Sequence, residues 1–409
     1  MHYLKILPVP ASLFFIVCGF LTGCFQRADR PASAEEVEDY FVNPSPAKYA
    51  ALAARTCDTA GLNAAFRAIR SRADTGTVRV WLTDSAGFQY RLGYTTPRDY
   101  APDSAYPLII YLHGGIGTER NDKGDSAFLM LAALTDTFKM FLASPSANRF
   151  TPWWSPIGLS RILQTLRFMT LRYPVNPRKV FLAGVSDGAT GCYAAANTIC
   201  APFAGFTAVS GFGGMLPMLG MQLAPGNLMQ RPIYNVNAGL DHIYPVENVK
   251  EFVRLLQEQG VGITSKIYPD EKHGFDYRGK EMGALANLIR TWSRPEASGL
   301  SWTFIPSGFP NLPANCLDWT LAANDASVNA FWRRDTLVIR GEGIRMLTAS
   351  FPHIPSGKKI TCRILTDEDK PLVRTFAPIK LHWPQNLQLM VKRCFPVFTG
   401  TANVYTIKF

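Results

Sequence analysis

Hydrophobic spacing divides the chain into three regimes. The runs "SAEEVEDYF", "PAKYAALAARTC" and "GLNAAFRAIRSRA" near the start place apolar residues every three to four positions, each opening on Ser, Pro or Gly with acidic or small residues. This spacing predicts a small group of amphipathic helices. At Thr77 the period changes. "TVRVWLTD" and "FQYRLGYTTP" alternate or run β-branched and aromatic around "SAG", which predicts two strands joined by a turn. "YPLIIYLHGGIG" opens with an unbroken apolar run, as expected of a strand covered on both faces. Helical "DSAFLMLAALTDTF", strand "KMFLASPS", helical "GLSRILQTLRFMTLRYP" and strand "RKVFLAGVS" follow, and later strand "RPIYNVNAG", helix "PVENVKEFVRLLQEQG" and strand "ITSKIYPD". Strands alternating with helices of this length predict an α/β domain with a doubly wound, mostly parallel sheet.

After the helical run "MGALANLIRTW" the alternation stops. "SRPEASG" has linker composition, and "LDWTLAAN", "NAFWRRDTLVIRG", "GIRMLTASF", "KKITCRILT", "LQLMVKR" and "NVYTIKF" are short strand-like runs broken by Pro, Gly and Asn. They predict a C-terminal all-β domain of sandwich type. The expected organisation is an export signal at 1–23, a tether and helical segment at 24–76, an α/β domain at 77–295 and a β domain at 300–409.

The first residues, "MHYLKILPVPASLFFIVCGFLTGC", hold an apolar run from Ala11 to Leu21. That is shorter than the roughly 20 residues a bilayer span needs and fits the apolar region of a secretory signal. Leu21, Thr22, Gly23 and Cys24 resemble the lipobox of bacterial lipoproteins. The resemblance implies cleavage before Cys24, lipidation of its thiol and anchoring to the cell envelope. An uncleaved or non-lipidated export signal is the other reading. Phe25 after the cysteine, in place of an aspartate, implies the outer membrane where the host has one.

Export permits disulfides. Six cysteines lie beyond Cys24, and spacing makes Cys192 with Cys200 and Cys362 with Cys394 the first pairings to test. None shows paired C-x-x-C spacing, so no zinc site is expected. The net charge is +11, and from Ser301 onward there are 13 Lys/Arg against 7 Asp/Glu. A basic tail suits lipid headgroups or acidic envelope polymers. An ordinary solvated face explains it equally well, and without a recognition helix or an RNA-binding aromatic motif nucleic acid is not an expected partner.

Chemistry is concentrated in "FLAGVSDGAT". Gly184-Val185-Ser186-Asp187-Gly188 is a weak pattern alone, but it follows a strand and precedes a small-residue helix, the setting of a nucleophile elbow. A serine hydroxyl needs a base within hydrogen-bond reach. His273 in "YPDEKHGF", just past a strand, is the candidate; His113 belongs to another loop, His242 adjoins the acid, and His353 and His382 fall in the β domain. Asp241 in "VNAGLDHIYP" follows a strand end and can orient the imidazole, whereas Asp270 and Asp276 lie too close to His273 in sequence. The order Ser186, Asp241, His273 is the one expected of this fold.

Expected oxyanion donors are the backbone N–H of Asp187 and one from "HGGIG", at Gly114 or Gly115, where no side chain blocks approach to developing negative charge. By itself "HGG" is equally well a plain glycine turn. Trp153 and Trp154 in "RFTPWWSP" lie after a strand, on the edge where open α/β sheets bind ligands. They are either an aromatic platform for a sugar or aryl group or a hydrophobic plug. "ERNDKGDS" is expected to be a solvated loop.

From about Thr77 to Trp292, "YPLIIYLHGG", "GVSDGA", "GLDHIYPVENV" and "HGF" resemble α/β-hydrolases of the esterase or dienelactone-hydrolase-like group, which includes secreted polyester depolymerases and feruloyl-type esterases. The resemblance implies cleavage of carboxylic esters through an acyl-enzyme, with no metal or organic cofactor; the acyl groups of a polysaccharide are one substrate it allows. Two departures matter: Ser186 stands where dienelactone hydrolases proper use cysteine, and Gly188-Ala189 stands where prolyl-oligopeptidase-type peptidases often have Gly-Gly. Two other readings are a prolyl-oligopeptidase-type serine peptidase, although the short helical N-terminal region leaves no room for the usual propeller, and a non-catalytic envelope-binding lipoprotein with a relic hydrolase core.

Overall fold

Three capped helices precede the sheet. The computed structural model describes residues 30–294 apart from 102 and 128–130, and then 299–303, 315–316, 319–322, 327–342, 346–350, 354–355, 357–365, 371–379, 381, 383–396 and 404–408. The expected signal, Cys24, His353 and His382 lie outside the described residues. Helix α1 (Ala34–Val42) starts on a reciprocal cap: Ser33 Oγ accepts from the Glu36 N–H while the Glu36 carboxylate accepts from the Ser33 N–H, so two otherwise orphaned donors are satisfied. Ser45 caps α2 (Pro46–Ala53), which carries proline in its first turn. Asp58 caps α3 (Thr59–Arg70). Val37, Phe41, Leu62, Phe66 and Ile69 are buried, and α1 and α3 pack on a long helix of the next unit.

That unit runs β1 (Thr77–Thr83), β2 (Gln89–Thr95), β3 (Tyr106–Leu112), α4 (Gly124–Ala127), α5 (Ala132–Thr137), β4 (Phe141–Pro145), α6 (Pro156–Arg172), β5 (Val175–Val185), α7 (Asp187–Thr198), β6 (Gly205–Val209), α8 (Pro225–Leu228), β7 (Ile233–Ala238), α9 (Val246–Glu258), β8 (Ile263–Tyr268) and α10 (Tyr277–Thr291). The eight strands lie in the order β1-β2-β4-β3-β5-β6-β7-β8. β1, β2 and β4 pair antiparallel, and every pair from β4 and β3 through β8 is parallel. The apolar run of β3 shows why both faces must be covered. Leu108, Ile110 and Leu112 enter one hydrophobic cluster, while Ile109 and Tyr111 enter another on the opposite face with Leu134, Leu285 and Ile289, as strand alternation requires. This sheet, with helices on both faces, is the α/β-hydrolase arrangement.

One buried ion pair ties the antiparallel edge to α6. Arg161 Nε and one terminal nitrogen donate to Asp84 Oδ2 at 3.0 and 2.8 Å, the other terminal nitrogen donates to Ser146 O at 2.9 Å, and both side chains are fully buried. The guanidinium also lies 4.5 Å from the centre of the Tyr90 ring.

Beyond residue 298, β9 (Gly299–Thr303), β10 (Asn315–Cys316), β11 (Trp319–Ala322), β12 (Ser327–Arg333), β13 (Thr336–Glu342), β14 (Met346–Ser350), β15 (Ile360–Leu365), β16 (Leu372–Phe376) and β17 (Val404–Lys408) form two sheets. Their orders are β10-β11-β14-β17 and β16-β15-β13-β12-β9. The run "LQLMVKR" is not a strand, however, but part of helix α11 (Trp383–Arg393). Leu387, Met390 and Val391 are its buried residues, a three-and-four spacing that a seven-residue window does not separate from a strand. Trp383 Nε1 donates to Arg55 O at 3.2 Å, and Thr170 Oγ1 in α6 donates to Cys394 O at 2.6 Å. The helix is thereby seated on the N-terminal helices.

Neither expected disulfide forms: Cys192, Cys362 and Cys394 carry thiols. Cys192 sits inside α7 with its Sγ 3.5 Å from Thr207 O. From Cys192 the helix continues six residues to Thr198, about 9 Å at 1.5 Å per residue, which already exceeds the span of a bridge before Cys200 is reached. The Cys394 Sγ lies 3.9 Å from Lys392 O at the end of α11, while Cys362 is buried on β15 within its sheet.

Candidate active site

The turn from β5 into α7 is possible because two residues lack side chains. A Cβ on Gly184 would lie 2.2 Å from Gly188 O, and one on Gly188 would lie 2.0 Å from Leu112 O. The tight crossing forces Ser186 to φ +56°, ψ −120° at the N-cap of α7. A non-glycine residue there carries backbone strain, which concentrates at functional sites. The Ser186 N–H donates to Val209 O at 2.9 Å, and Ser186 O accepts from the N–H groups of Ala189 and Thr190. The hydroxyl is thus held at the carboxyl edge of the sheet.

Asp241, on the loop after β7, has a fully buried side chain. Its Oδ1 accepts from the backbone N–H groups of Ile243 and Tyr244 at 2.8 and 2.9 Å. The other oxygen, Oδ2, lies 2.8 Å from His273 Nδ1, and His273 Nε2 lies 3.1 Å from Ser186 Oγ. A carboxylate accepts only, so Nδ1 is the N–H side of the ring and Nε2 presents its lone pair to the serine hydroxyl. Three side chains from three loops therefore meet in a continuous hydrogen-bonded line. Asp276, one of the rival acids, is exposed and pairs with Arg278 instead.

The "HGG" loop closes over the serine. A Cβ on Gly114 would lie 2.8 Å from Ser186 Cβ and 3.0 Å from Val185 O, and Gly115 has φ +64°. The N–H of Asp187 is the first of α7 and has no intrahelical acceptor. The Asp187 carboxylate acts elsewhere, since its Oδ2 accepts from the Ile116 N–H at 2.9 Å and so ties the elbow to the loop. Lys123 Nζ donates to Gly115 O.

His113, set aside as a base, is built into this loop. It is buried, its Nε2 accepts from the Ala147 N–H at 3.1 Å, and its Nδ1 lies 2.9 Å from Gly114 O. Accepting at Nε2 makes Nδ1 the donor. Burial holds its pKa down to about 4, so the ring is a neutral clamp between β4 and the glycines.

Trp153 is not a ligand platform. It is fully buried, and its Nε1 donates to His113 O at 2.9 Å. A Cβ on Gly191 of α7 would lie 2.5 Å from Trp153 Cβ, so the small-residue face of that helix is the socket for the tryptophan. An indole with a satisfied N–H is a support, not a stacking surface. Trp154 is partly exposed and packs against the same core.

Tyr244 was missed by sequence reasoning, though it stands inside the quoted "GLDHIYPVENV". Its buried ring lies 5.7 Å from the His273 ring at 37° and 6.0 Å from Phe212 at 87°. Among the described residues, no group of three His, Cys, Asp or Glu side chains converges in a way that could hold a metal ion.

The dienelactone hydrolase family profile matches residues 156–298, a stretch that includes Ser186, Asp241 and His273 but starts after the glycine loop. No curated protein matches the sequence. Among solved structures, a thermostable esterase is 20% identical over 53% of this chain, with a TM-score of 0.43, and this chain spans 63% of its length. Esterase 2 of Thermogutta terrifontis is 12% identical over 53% of this chain and 94% of its own, with a TM-score of 0.43. A fluorophosphonate-binding serine hydrolase of Staphylococcus aureus is 13% identical over 53% of this chain and 99% of its own, also with a TM-score of 0.43.

Proposed function

We propose that the chain is a serine hydrolase that cleaves carboxylic esters through an acyl-enzyme. The observation that carries this reading is the line from Asp241 Oδ2 through His273 to Ser186 Oγ, at 2.8 and 3.1 Å. His273 Nε2 takes the hydroxyl proton as Ser186 Oγ attacks the ester carbonyl. The N–H of Asp187 and one from Gly114 or Gly115 hold the resulting oxyanion. His273 then returns the proton to the departing alcohol, a water repeats the sequence on the acyl-serine, and Asp241 stabilises the imidazolium in both halves.

The finer reading is an envelope enzyme. Lipidated Cys24 anchors it to the membrane, and the substrate is an ester outside the membrane, such as an acylated polysaccharide. Exposed Phe150, Met218 and Ile243, on the loops after β4, β6 and β7, give the carboxyl edge of the sheet an apolar rim, which supports a substrate with an apolar portion. Trp154 is the aromatic side chain left to contact it.

The test is hydrolysis of a short p-nitrophenyl ester by purified protein. Ser186→Ala and His273→Ala should each lower kcat by about a thousandfold or more; undiminished hydrolysis by either refutes the reading. A panel of acetylated and feruloylated glycans, triacylglycerols and peptides identifies the substrate class. Turnover confined to peptides would favour a peptidase. Intact-mass measurement of the mature protein tests the lipid on Cys24.

A further inference from the structure

Three consecutive carbonyls of the glycine loop are each held by a side chain. His113 O accepts from Trp153 Nε1 at 2.9 Å, His113 Nδ1 donates to Gly114 O at 2.9 Å, and Lys123 Nζ donates to Gly115 O. At the other end of the Gly115 peptide, the Ile116 N–H donates to Asp187 Oδ2 at 2.9 Å. A trans peptide is planar and points its C=O and N–H in opposite directions, so an ammonium at one end and a carboxylate at the other fix the plane between them. A Cβ on Gly115 would lie 2.9 Å from Lys123 Nζ, which places the ammonium directly against this residue.

Lys123 is itself firmly based. It stands in the charged run "ERNDKGDS", expected to be a solvated loop, but that run is tied to the sheet: the Arg91 N–H donates to Asn121 O at 2.8 Å, and the Gly124 N–H donates to Ser146 Oγ at 2.7 Å. Its other charged side chains form ion pairs: Glu119 with Arg149, Arg120 with Asp122, and Asp125 with Arg91. Lys123 forms no ion pair among the described residues, and its ammonium goes to a carbonyl of the glycine loop instead.

We propose that Lys123 is a positioning residue of the oxyanion hole: through Gly115 O it holds the glycine loop so that the loop's N–H meets the tetrahedral intermediate without rearranging. This rests on the serine-hydrolase reading above. Donors aimed in advance act where charge develops, so loosening them lowers kcat and leaves substrate binding nearly untouched. Without the ammonium, Gly115 O loses its partner and the peptide is held from the Asp187 side alone. Gly115, at φ +64° and with no side chain to restrain it, then has other conformations open to it. Lys123 transfers no proton, and it acts only through the peptide it holds.

Lys123→Met keeps most of the stem and removes the ammonium. With p-nitrophenyl acetate, kcat should fall about tenfold or more, as for loss of a hydrogen bond from a charged donor, with KM within about twofold. Binding of a boronic acid, which adds to Ser186 Oγ as a tetrahedral anion, should weaken by a similar factor. Lys123→Arg, a cationic donor of similar reach, should recover most of the loss. Lys123→Gln, neutral and one bond shorter, should not, and it serves as the second variant if Lys123→Met does not melt cooperatively. Because Lys123 and Asp187 hold one peptide, Lys123→Met combined with Asp187→Ala should lose clearly less than the product of the two single losses; fully independent losses would contradict the shared peptide. Fluorophosphonate labelling of the wild-type protein separates the two failures. A wild-type protein that neither labels nor turns over refutes the hydrolase reading itself. A wild-type protein that labels and turns over, beside a folded Lys123→Met or Lys123→Gln with unchanged kcat, overturns the role of Lys123 alone.

Discussion

Gly114→Ala probes the site without replacing Ser186, Asp241 or His273. The added methyl would lie 2.8 Å from Ser186 Cβ and 3.0 Å from Val185 O. Carbon atoms settle at about 3.5–4.0 Å, so something must retreat by roughly 1 Å. Ser186 cannot, because its strained backbone is pinned through its N–H to Val209 O and through its carbonyl to α7. The glycine loop must yield instead, and its N–H groups move away from where the oxyanion forms. Losing one such donor costs about 100- to 1000-fold in kcat, or roughly 3–4 kcal/mol of transition-state stabilisation. The assay is steady-state hydrolysis of p-nitrophenyl acetate, with thermal unfolding as the check on folding. Gly117→Ala is the matched control, since a Cβ there meets nothing within 4 Å, and it should stay within about threefold of wild type. A folded Gly114→Ala protein that also stays within about threefold would refute the argument that this loop supplies the oxyanion donor.

Three further outcomes follow. His113 has a pKa held down to about 4 by burial, against about 6.5 in the unfolded chain, so the unfolded state binds the extra proton between those values and stability falls as pH drops from 6.5 to 4. The loss approaches about 3 kcal/mol; urea unfolding should show it in the wild-type protein, and His113→Asn should lack that component. Arg161→Leu strands the buried Asp84 carboxylate and should cost about 3–5 kcal/mol in the same measurement; a loss below about 1 kcal/mol would contradict the pair's role. Asp187→Ala removes the acceptor of the Ile116 N–H while keeping the backbone donor. It should lower kcat about tenfold with little change in KM, and an unchanged kcat would show that the loop holds its place without this tie.

How much of this was legible in the sequence depends on the range of the contacts involved. The meeting of Ser186, Asp241 and His273 follows from local signals, a glycine-flanked serine between strand and helix and an acid and a histidine just past later strand ends. Strand alternation likewise gave the sheet. What stayed hidden was set by tertiary packing. Position after a strand leaves Trp153 open between platform and plug; packing decides it, since its ring is received by Gly191 and its N–H by His113 O, and the small residues of "GATGCYAAAN" are the signal for that socket. His113 and Tyr244 act through contacts with loops distant in sequence, which no periodicity reports. The helical residues of "LQLMVKR" escaped because the window was too short to separate the two periods, and the cysteine pairings failed because spacing says nothing about direction.

In the proposed reaction Ser186 Oγ is a nucleophile activated by His273. Peptide mass spectrometry after treatment with a fluorophosphonate reads this out at the reacting atom. One adduct is expected, on Ser186, its formation sharply slowed in His273→Ala. An adduct on another serine, or labelling of Ser186 at an undiminished rate without His273, would contradict it.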